Sequence, residues 1–369
     1  MSKRAEIQKL LTDSIVFNNF TGIFVAAPRV GKSKALIDSL NTLGISDKVL
    51  ITVPFDSIKE SWEDELVKWS SKIKPDIINQ RSLNKVVVGD YDYIICDEVH
   101  TLSEAQLEIL KELKTYSKLM GVTGSLADET ARLLKFHLGL IVNFNYGLEL
   151  AINDKIISDY RINIITCNLD NTNKYIVGGT KKNSWLTTEA AQYDYLTRQF
   201  NRFKVMSFND EKFNGVKMNY ARLRSHLLYT CDTKVNIAKK LINNSSKALV
   251  FTTLIDTCNK LTNDSYHSKS NGDELELFKQ GKINHLSVIN MSSMGVTFPN
   301  LKYAICHQLQ SSEELAVQKL LRTMNFDAGK DAVIDIIVAN NTVDEDWCKK
   351  ALQGFDSNKI NYIDSRSIK

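Results

Sequence analysis

The run Ala26-Ala27-Pro28-Arg29-Val30-Gly31-Lys32-Ser33 holds the residues best suited to chemistry in this chain. It lies between the apolar Ile23-Phe24-Val25 and the helix-forming Lys34-Ala35-Leu36-Ile37. Strand, tight loop and helix start, in that order, leave unpaired backbone N–H groups at a helix N-terminus, where an anion is favoured. Lys32 can reach the terminal phosphates of a nucleotide, and the Ser33 hydroxyl can ligate Mg²⁺. Residues 27–33 are therefore the candidate nucleotide-binding loop, with Lys32 also a catalytic candidate. Ala26 stands where such loops most often carry a first glycine. A chance Gly-Lys-Ser is the bland alternative, and the strand before and helix after argue against it. The expected ligand is a nucleoside triphosphate.

A second set of groups follows some sixty-five residues beyond Lys32, where the apolar Tyr93-Ile94-Ile95-Cys96 ends in Asp97-Glu98. A carboxylate at the C-terminal end of a strand lies beside the phosphate loop in doubly wound folds. Asp97 is placed to hold Mg²⁺, usually through its waters. Glu98 is placed to polarise an attacking water. An Asp-Glu pair alone is a weak signal, since helices often open on acids; its strand and its distance from the loop strengthen it. His100, taken alone, reads as a helix-entry residue.

These groups need a scaffold, and the first third of the chain supplies the pattern for one. Apolar runs at 22–26, 48–53, 93–96 and 119–123 alternate with segments such as 57–69 and 103–113, whose apolar residues recur at helical spacing. Strand–helix alternation predicts an α/β fold with a doubly wound parallel sheet covered on both faces. The same grammar returns at 248–252, 286–290, 303–307 and 333–338. Between them, 160–167 is strand-like and 168–184 is polar and loop-like. A helix is expected over 187–203, a polar break at 209–215, and two further helices over 219–228 and 233–242. The expected organisation is a first lobe at 1–158, a partly helical connector at 159–246 and a second lobe at 247–369.

Composition narrows the class without fixing it. The 369 residues are 43% apolar and 24% charged, as in an ordinary globular chain, and a net charge of +4 permits a polyanionic partner without demanding one. Cys96, Cys167, Cys231, Cys258, Cys306 and Cys348 form no CxxC pair; they read as buried thiols in a reducing compartment, not as a disulfide frame or zinc site. No long apolar segment follows the N-terminus, so no membrane span is expected.

The Asp97-Glu98-Val99-His100 box resembles that of superfamily 2 helicases and translocases, and further matches follow in chain order. Thr52-Val53-Pro54 with Trp62 resembles the family's first DNA-contact motif, and Gln80-Arg81-Ser82-Leu83 the segment before the acid box. Thr123-Gly124-Ser125 resembles the motif that couples hydrolysis to strand movement, and 146–160 the exit from the first lobe. Leu249-Val250-Phe251-Thr252 and His267-Ser268 resemble the early motifs of the second lobe. Residues 291–299, with Gly295, look like motif five, and Gln318 to Arg322 like motif six. Asn341-Thr342-Val343-Asp344-Glu345 is similar to a segment common among phage branch-migration helicases, restriction-enzyme motor subunits and chromatin-remodelling motors.

The resemblance implies two RecA-like lobes with ATP and Mg²⁺ in the cleft and nucleic acid across their top. Lys32, Ser33, Asp97 and Glu98 would come from the first lobe, with Ser33 and Asp97 on the metal. Gln318 and Arg322 would face the γ-phosphate from the second, and Gly295 would also line the nucleotide site. His100, Thr123 and Ser125 would couple hydrolysis to movement. Gln8 is placed like the family's adenine-reading glutamine, or is an exposed helix residue. Pro54, Arg81, Ser82, Thr252, Ser268, Ser292 and Ser293 are the candidate nucleic-acid contacts. Two departures stand out: motif six has Leu321 and Asn325 where the family has glycine and a second arginine, and motif five has Thr297 where an acid is usual. Loss of that cation removes charge stabilisation from phosphoryl transfer.

Residues 198–204 interleave Arg198, Arg202 and Lys204 with Phe200 and Phe203, and 222–226 are basic. These form either a nucleic-acid clamp with Phe200 or Phe203 stacking on bases, or an amphipathic helix that buries its aromatics and solvates its charges. The leading expectation is an ATP-dependent nucleic-acid motor, a DNA helicase or branch-migration translocase acting on duplex, forked or branched DNA. Replication or recombination proteins would be its partners and the cytoplasm (a host's, if the source is viral) its location. The alternative is a nucleotide-switched DNA-binding or adaptor protein whose ATPase is weak because of Asn325. A small-molecule phosphotransferase would lack the second lobe.

Overall fold

The computed structural model describes residues 2–27, 29–44, 46–179, 184–270, 272–289, 301–309, 331–352 and 355–368, with residue 57 as backbone alone. The chain divides into two compact units, one running to Asp159 and the next beginning at Tyr160.

The first unit is built on six parallel strands: β1 (Gly22–Ala26), β2 (Val49–Val53), β3 (Asp76–Asn79), β4 (Tyr93–Asp97), β5 (Lys118–Thr123) and β6 (Val142–Tyr146). They lie in the order β3-β2-β4-β5-β1-β6. Every residue of β1 and β2 is buried, as a parallel sheet covered on both faces requires. Alternate side chains serve opposite faces. Phe24, Ile51, Ile95 and Met120 pack with Leu11 and Ile15 of α1 (Lys3–Phe17), Leu36 and Leu40 of α2 (Lys32–Leu40), and Trp62 of α3 (Asp56–Lys68). Ile23, Val25, Leu50 and Ile94 pack with Leu107 and Leu110 of α4 (Glu104–Leu113) and with Leu134 and Leu138 of α5 (Asp128–Leu138). One glycine in this sheet is dictated by proximity: a Cβ on Gly121 would lie 2.6 Å from a Val99 methyl, so Gly121 lets the turn after Asp97 settle against β5. α6 (Leu148–Asn153) follows β6.

The second unit holds a seven-stranded sheet. Its strands are β7 (Tyr160–Cys167), β10 (Ala248–Thr252), β11 (Ser265–Tyr266), β12 (His285–Ile289), β13 (Tyr303–Cys306), β14 (Ala332–Ala339) and β15 (Ile360–Asp364). Their order is β11-β12-β10-β13-β14-β7-β15, and every pairing described is parallel. One face packs with Val235, Ala238 and Leu241 of α9 (Asp232–Asn243) and with Leu227 and Leu228. α10 (Ile255–Leu261), α11 (Asp273–Lys279) and α12 (Val343–Ala351) are further helices there.

The α/β expectation is met in both units, and several local expectations change. The stretch 168–184 is not all loop. Its β8 (Ile176–Gly179) pairs antiparallel with β9 (Ser184–Thr187). The helix expected to stop near 203 is α7 (Glu189–Asn209), and the expected break at 209–215 shrinks to a short turn before α8 (Asn214–Thr230). Strands β3, β6, β11 and β15 add to the expected set. All six cysteines are buried free thiols. Among the described residues no helix is long and apolar enough to cross a membrane.

Candidate nucleotide site

β1 ends at Ala26 and α2 opens at Lys32, so the loop between them lies at the C-terminal edge of the first sheet, where open α/β folds take their ligands. Gly31 is the N-cap of α2, in left-handed backbone at φ 98°, and no side chain caps the helix start. That conformation suits glycine alone, for a second reason: a Cβ here would lie 2.1 Å from Gln8 Nε2. Gln8, on α1, donates from Nε2 to the Val30 carbonyl at 2.9 Å, and Arg4 Nε donates to the same oxygen at 3.5 Å. Arg29 is also left-handed, at φ 68°. Burial, then the neighbouring Arg4, lowers its guanidinium to about 10. Ala27 and Val30 are buried, and Ser33 is half-buried in the first turn of α2.

Lys32 Nζ meets Glu98 Oε1 at 3.0 Å. Glu98 reaches it from a left-handed turn, φ 49° and ψ 53°, just after β4; such strain in a non-glycine residue is held by its surroundings. Its other oxygen, Oε2, is 3.2 Å from the Thr123 hydroxyl and accepts from the Gly124 N–H at 3.4 Å. The same hydroxyl lies 2.6 Å from His100 Nδ1 and 2.7 Å from the Ser125 carbonyl. Lys32, Glu98, His100, Thr123 and Ser125 thus form one connected cluster, four of them drawn from the turn after β4 and the end of β5.

Asp97 stands beside it. Trp62 Nε1 donates to its Oδ2 at 2.9 Å, and the Glu98 N–H donates to its Oδ1 at 3.0 Å. Gln80 Nε2 donates to the Asp97 carbonyl at 2.9 Å, while Gln80 Oε1 accepts from the Thr101 hydroxyl at 2.9 Å. Trp62 and Gln80 stand in motifs that the resemblance named, but their contacts with Asp97 were not foreseen. A buried indole must place its N–H on an acceptor, which was the available signal for Trp62.

The electrostatics follow from burial of two carboxylates against one ammonium. Burial, then the charge of Glu98, pushes Asp97 up to about 6, with Lys32 and the Trp62 hydrogen bond opposing. Burial raises Glu98 as well, but Lys32 and His100 outweigh it and hold the carboxyl low, at about 2. Burial alone would lower Lys32; Glu98 and Asp97 more than offset it and keep the ammonium above its ordinary value. Burial lowers His100. A cluster with surplus negative charge, and one carboxyl resisting ionisation, suits an added cation. Among the described residues no group of three or more His, Cys, Asp or Glu could hold a metal alone. The donors at this site are the Asp97 carboxylate and the Ser33 hydroxyl, oxygen ligands of the kind Mg²⁺ takes together with waters and phosphates.

The remaining expected residues are dispersed. Pro54 is buried after β2, Arg81 is exposed and Ser82 half-buried in the turn after β3, whose start is capped by Asn79. In the second unit Thr252 is fully buried, its hydroxyl donating to the Leu254 carbonyl at 3.2 Å, and Ser268 is exposed after β11. Pro28, Ser292, Ser293, Gly295, Gln318, Arg322 and Asn325 lie outside the described residues.

No family model matches the chain. The signal recognition particle receptor FtsY of Mycoplasma genitalium is 28% identical over 142 residues, which is 35% of this chain and 41% of that protein. Among solved structures, the ATP-dependent Type ISP restriction-modification enzyme LlaBIII bound to DNA matches with a TM-score of 0.62 at 13% identity. The match covers 97% of this chain and 31% of that one. S. cerevisiae Dbp5 bound to RNA and ADP BeF3 matches with a TM-score of 0.57 at 12% identity, over 99% of this chain and 90% of that one. The chain therefore spans less than half of FtsY and under a third of LlaBIII. At these identities the likeness is one of fold: the two parallel-sheet α/β lobes are RecA-like.

Proposed function

We infer that the chain is an ATP-dependent nucleic-acid motor of helicase superfamily 2, and that DNA, duplex, forked or branched, is its track. The observation that carries this reading is the Lys32–Glu98 ion pair at the opening of the phosphate loop, beside Asp97. Support also comes from the fold likeness to LlaBIII bound to DNA and to Dbp5 bound to RNA and ADP BeF3.

In the reading proposed, Lys32 is held by Glu98 until phosphate oxygens compete for it. Transfer of Lys32 to the nucleotide releases Glu98 Oε1, which orients the attacking water and accepts its proton. Thr123 and Gly124 keep the other carboxylate oxygen in place during that change. Mg²⁺, carried in with the nucleotide and held by Ser33 and Asp97, would neutralise charge on the phosphates. Gln80 ties the acid box to Arg81 and Ser82 one and two residues on, so a shift at Asp97 reaches candidate nucleic-acid contacts through one side chain. Gln318 and Arg322 keep the γ-phosphate roles that the resemblance implies.

The test is ATP turnover with single-stranded, duplex, forked and four-way DNA and with RNA. Forked or four-way DNA is expected to stimulate turnover most. Glu98→Gln should retain nucleotide binding while losing about a hundred- to ten-thousand-fold in turnover, as for removal of a general base. If no nucleic acid raises turnover above background and Lys32→Ala changes nothing, the motor reading is wrong.

A further inference from the structure

α7 and α8 form an antiparallel arm on the second unit. The arm is anchored at its base, where Tyr193, Leu196, Leu227 and Leu228 enter the core. Beyond that base, from 197 to 226, no side chain is fully buried. The helices hold each other through aromatic contacts. Phe203 stacks on Tyr220 at 5.5 Å with the rings 9° apart, and lies 6.0 Å from Phe213. The Arg224 guanidinium sits 4.5 Å over Phe200. Phe200 and Phe203 are therefore engaged inside the arm, and the stacking on bases considered for them would require breaking those contacts.

Another ring is left over. Phe208, in the last turn of α7, is 80% exposed, with Val205 64% and Met218 62% exposed nearby in sequence. Arg198, Arg202, Val205 and Phe208 follow one another at helical spacings of four, three and three, so they line one stripe. From 195 to 231 the arm carries Arg198, Arg202, Lys204, Lys212, Lys217, Arg222 and Arg224, against only Asp210 and Glu211, both in the turn. Lys212 pairs with Asp210 at 2.5 Å. Asp194, exposed one turn before Arg198, is the nearest acid on α7; from Tyr195 to the turn that helix is cationic, and the stripe ends in a solvated ring.

We propose that this stripe is a nucleic-acid contact, in which Arg198 and Arg202 hold consecutive phosphates and Phe208 stacks on an unpaired base. The proposal rests on the motor reading and narrows its substrate to single strand, or single strand adjoining duplex. Phosphates supply the complementary charge, and an unpaired base supplies the flat partner that an exposed aromatic takes at low cost, whatever its sequence. An acidic protein groove with an apolar pocket is the other occupant that would meet these charges and this ring, and the experiment separates the two.

The experiment measures binding of the full chain to single-stranded, forked and blunt duplex DNA at fixed salt, with 2-aminopurine in the unpaired strand as a stacking probe. Phe208→Ala is expected to weaken forked and single-stranded binding about ten-fold and to abolish the 2-aminopurine quench. Blunt-duplex binding should change less than about two-fold, and Phe208→Trp should restore the quench. Arg198→Gln with Arg202→Gln should weaken binding to all three DNAs and reduce the salt slope by about two. The exposed ring leaves the melting temperature of Phe208→Ala unchanged. If Phe208→Ala binds forked DNA like the wild type while DNA still stimulates ATP turnover, the arm proposal falls and the motor reading stands. If the wild type neither binds DNA nor is stimulated by it, both fall.

Discussion

Each unit carries a lysine–carboxylate pair whose partners come from distant parts of the chain, and the two pairs differ in their exposure to water. Lys32 and Glu98 sit at 3.0 Å with 17% and 21% of their side-chain surface still open to solvent. Lys234, on α9, and Asp344, on α12, sit at 2.7 Å with 0% and 1%. The open pair lies at the start of a helix with free N–H groups, so an incoming polyanion can take Lys32 and liberate Glu98. The sealed pair has no such exchange. Asp344 also accepts from the Ala339 N–H at 3.2 Å, which fixes α12 against the end of β14. The same pair of charges is a switch where water partly reaches it and a clamp where water does not, because desolvation makes the unpaired state more expensive in the second case.

That contrast can be broken by removing each lysine. Lys234→Ala leaves a buried carboxylate uncompensated and should lower the stability of the second unit by about 3–5 kcal/mol. Lys32→Ala should cost clearly less than that in the first unit, since Glu98 keeps 21% of its side-chain surface open and can rehydrate in part. Hydrogen exchange of β14 and β4 reads the two units separately. Replacing both sealed partners, Lys234→Met with Asp344→Leu, should recover most of the loss. Equal losses for the two single variants would erase the distinction between clamp and switch.

The sealed core around Lys234 also carries a pH dependence. His307, just beyond β13, is fully buried; burial, then the charge of Lys234, holds its imidazole down to about 3. Unfolded, the same histidine takes a proton near its ordinary value. Its contribution to stability is complete above that ordinary value and is lost as pH falls from there toward about 3, because only the unfolded chain binds the proton in that window. The second unit should lose about 2 kcal/mol between pH 7 and pH 5 from this group. Exchange protection of Tyr303–Cys306, compared between wild type and His307→Gln at the two pH values, measures it; parallel losses in both proteins would assign the effect elsewhere.

The two regions also differ in how far the sequence announced them. Gly31-Lys32-Ser33 and Asp97-Glu98 are local signals, each readable because neighbouring residues declare a strand end or a helix start. Trp62 against Asp97, and Gln80 between Asp97 and Thr101, are decided by packing of segments far apart in the chain, and periodicity does not encode such pairings. The missed strands are the edge and polar ones. β3 and β15 lie at sheet edges, β6 runs Val-Asn-Phe-Asn-Tyr, and β15 includes Asn361 and Asp364. Fewer positions of these strands are buried than in the central ones, so their apolar signal is weaker. Tyr160–Cys167 announced itself as a strand, yet nothing local said that it would pair with β14 on one side and β15 on the other. Lys234 and Asp344 look like surface charges until α9 and α12 are brought together.

Gln8 gives the smallest and most discriminating test at the open site. Its amide N–H is committed to the Val30 carbonyl at 2.9 Å, and its side chain fills the space over Gly31. A brace of that kind fixes the loop for any nucleotide, whereas a reader of adenine acts on one base. Loss of a neutral hydrogen bond is worth about 1 kcal/mol, or roughly five-fold in affinity. Gln8→Ala is therefore expected to weaken ATP and GTP binding together by about five-fold, measured by titration calorimetry at fixed Mg²⁺. A loss confined to ATP would transfer Gln8 from the loop to the base. It would also mean that the Val30 contact gives way when nucleotide arrives, making α1 a third moving part beside Lys32 and Glu98.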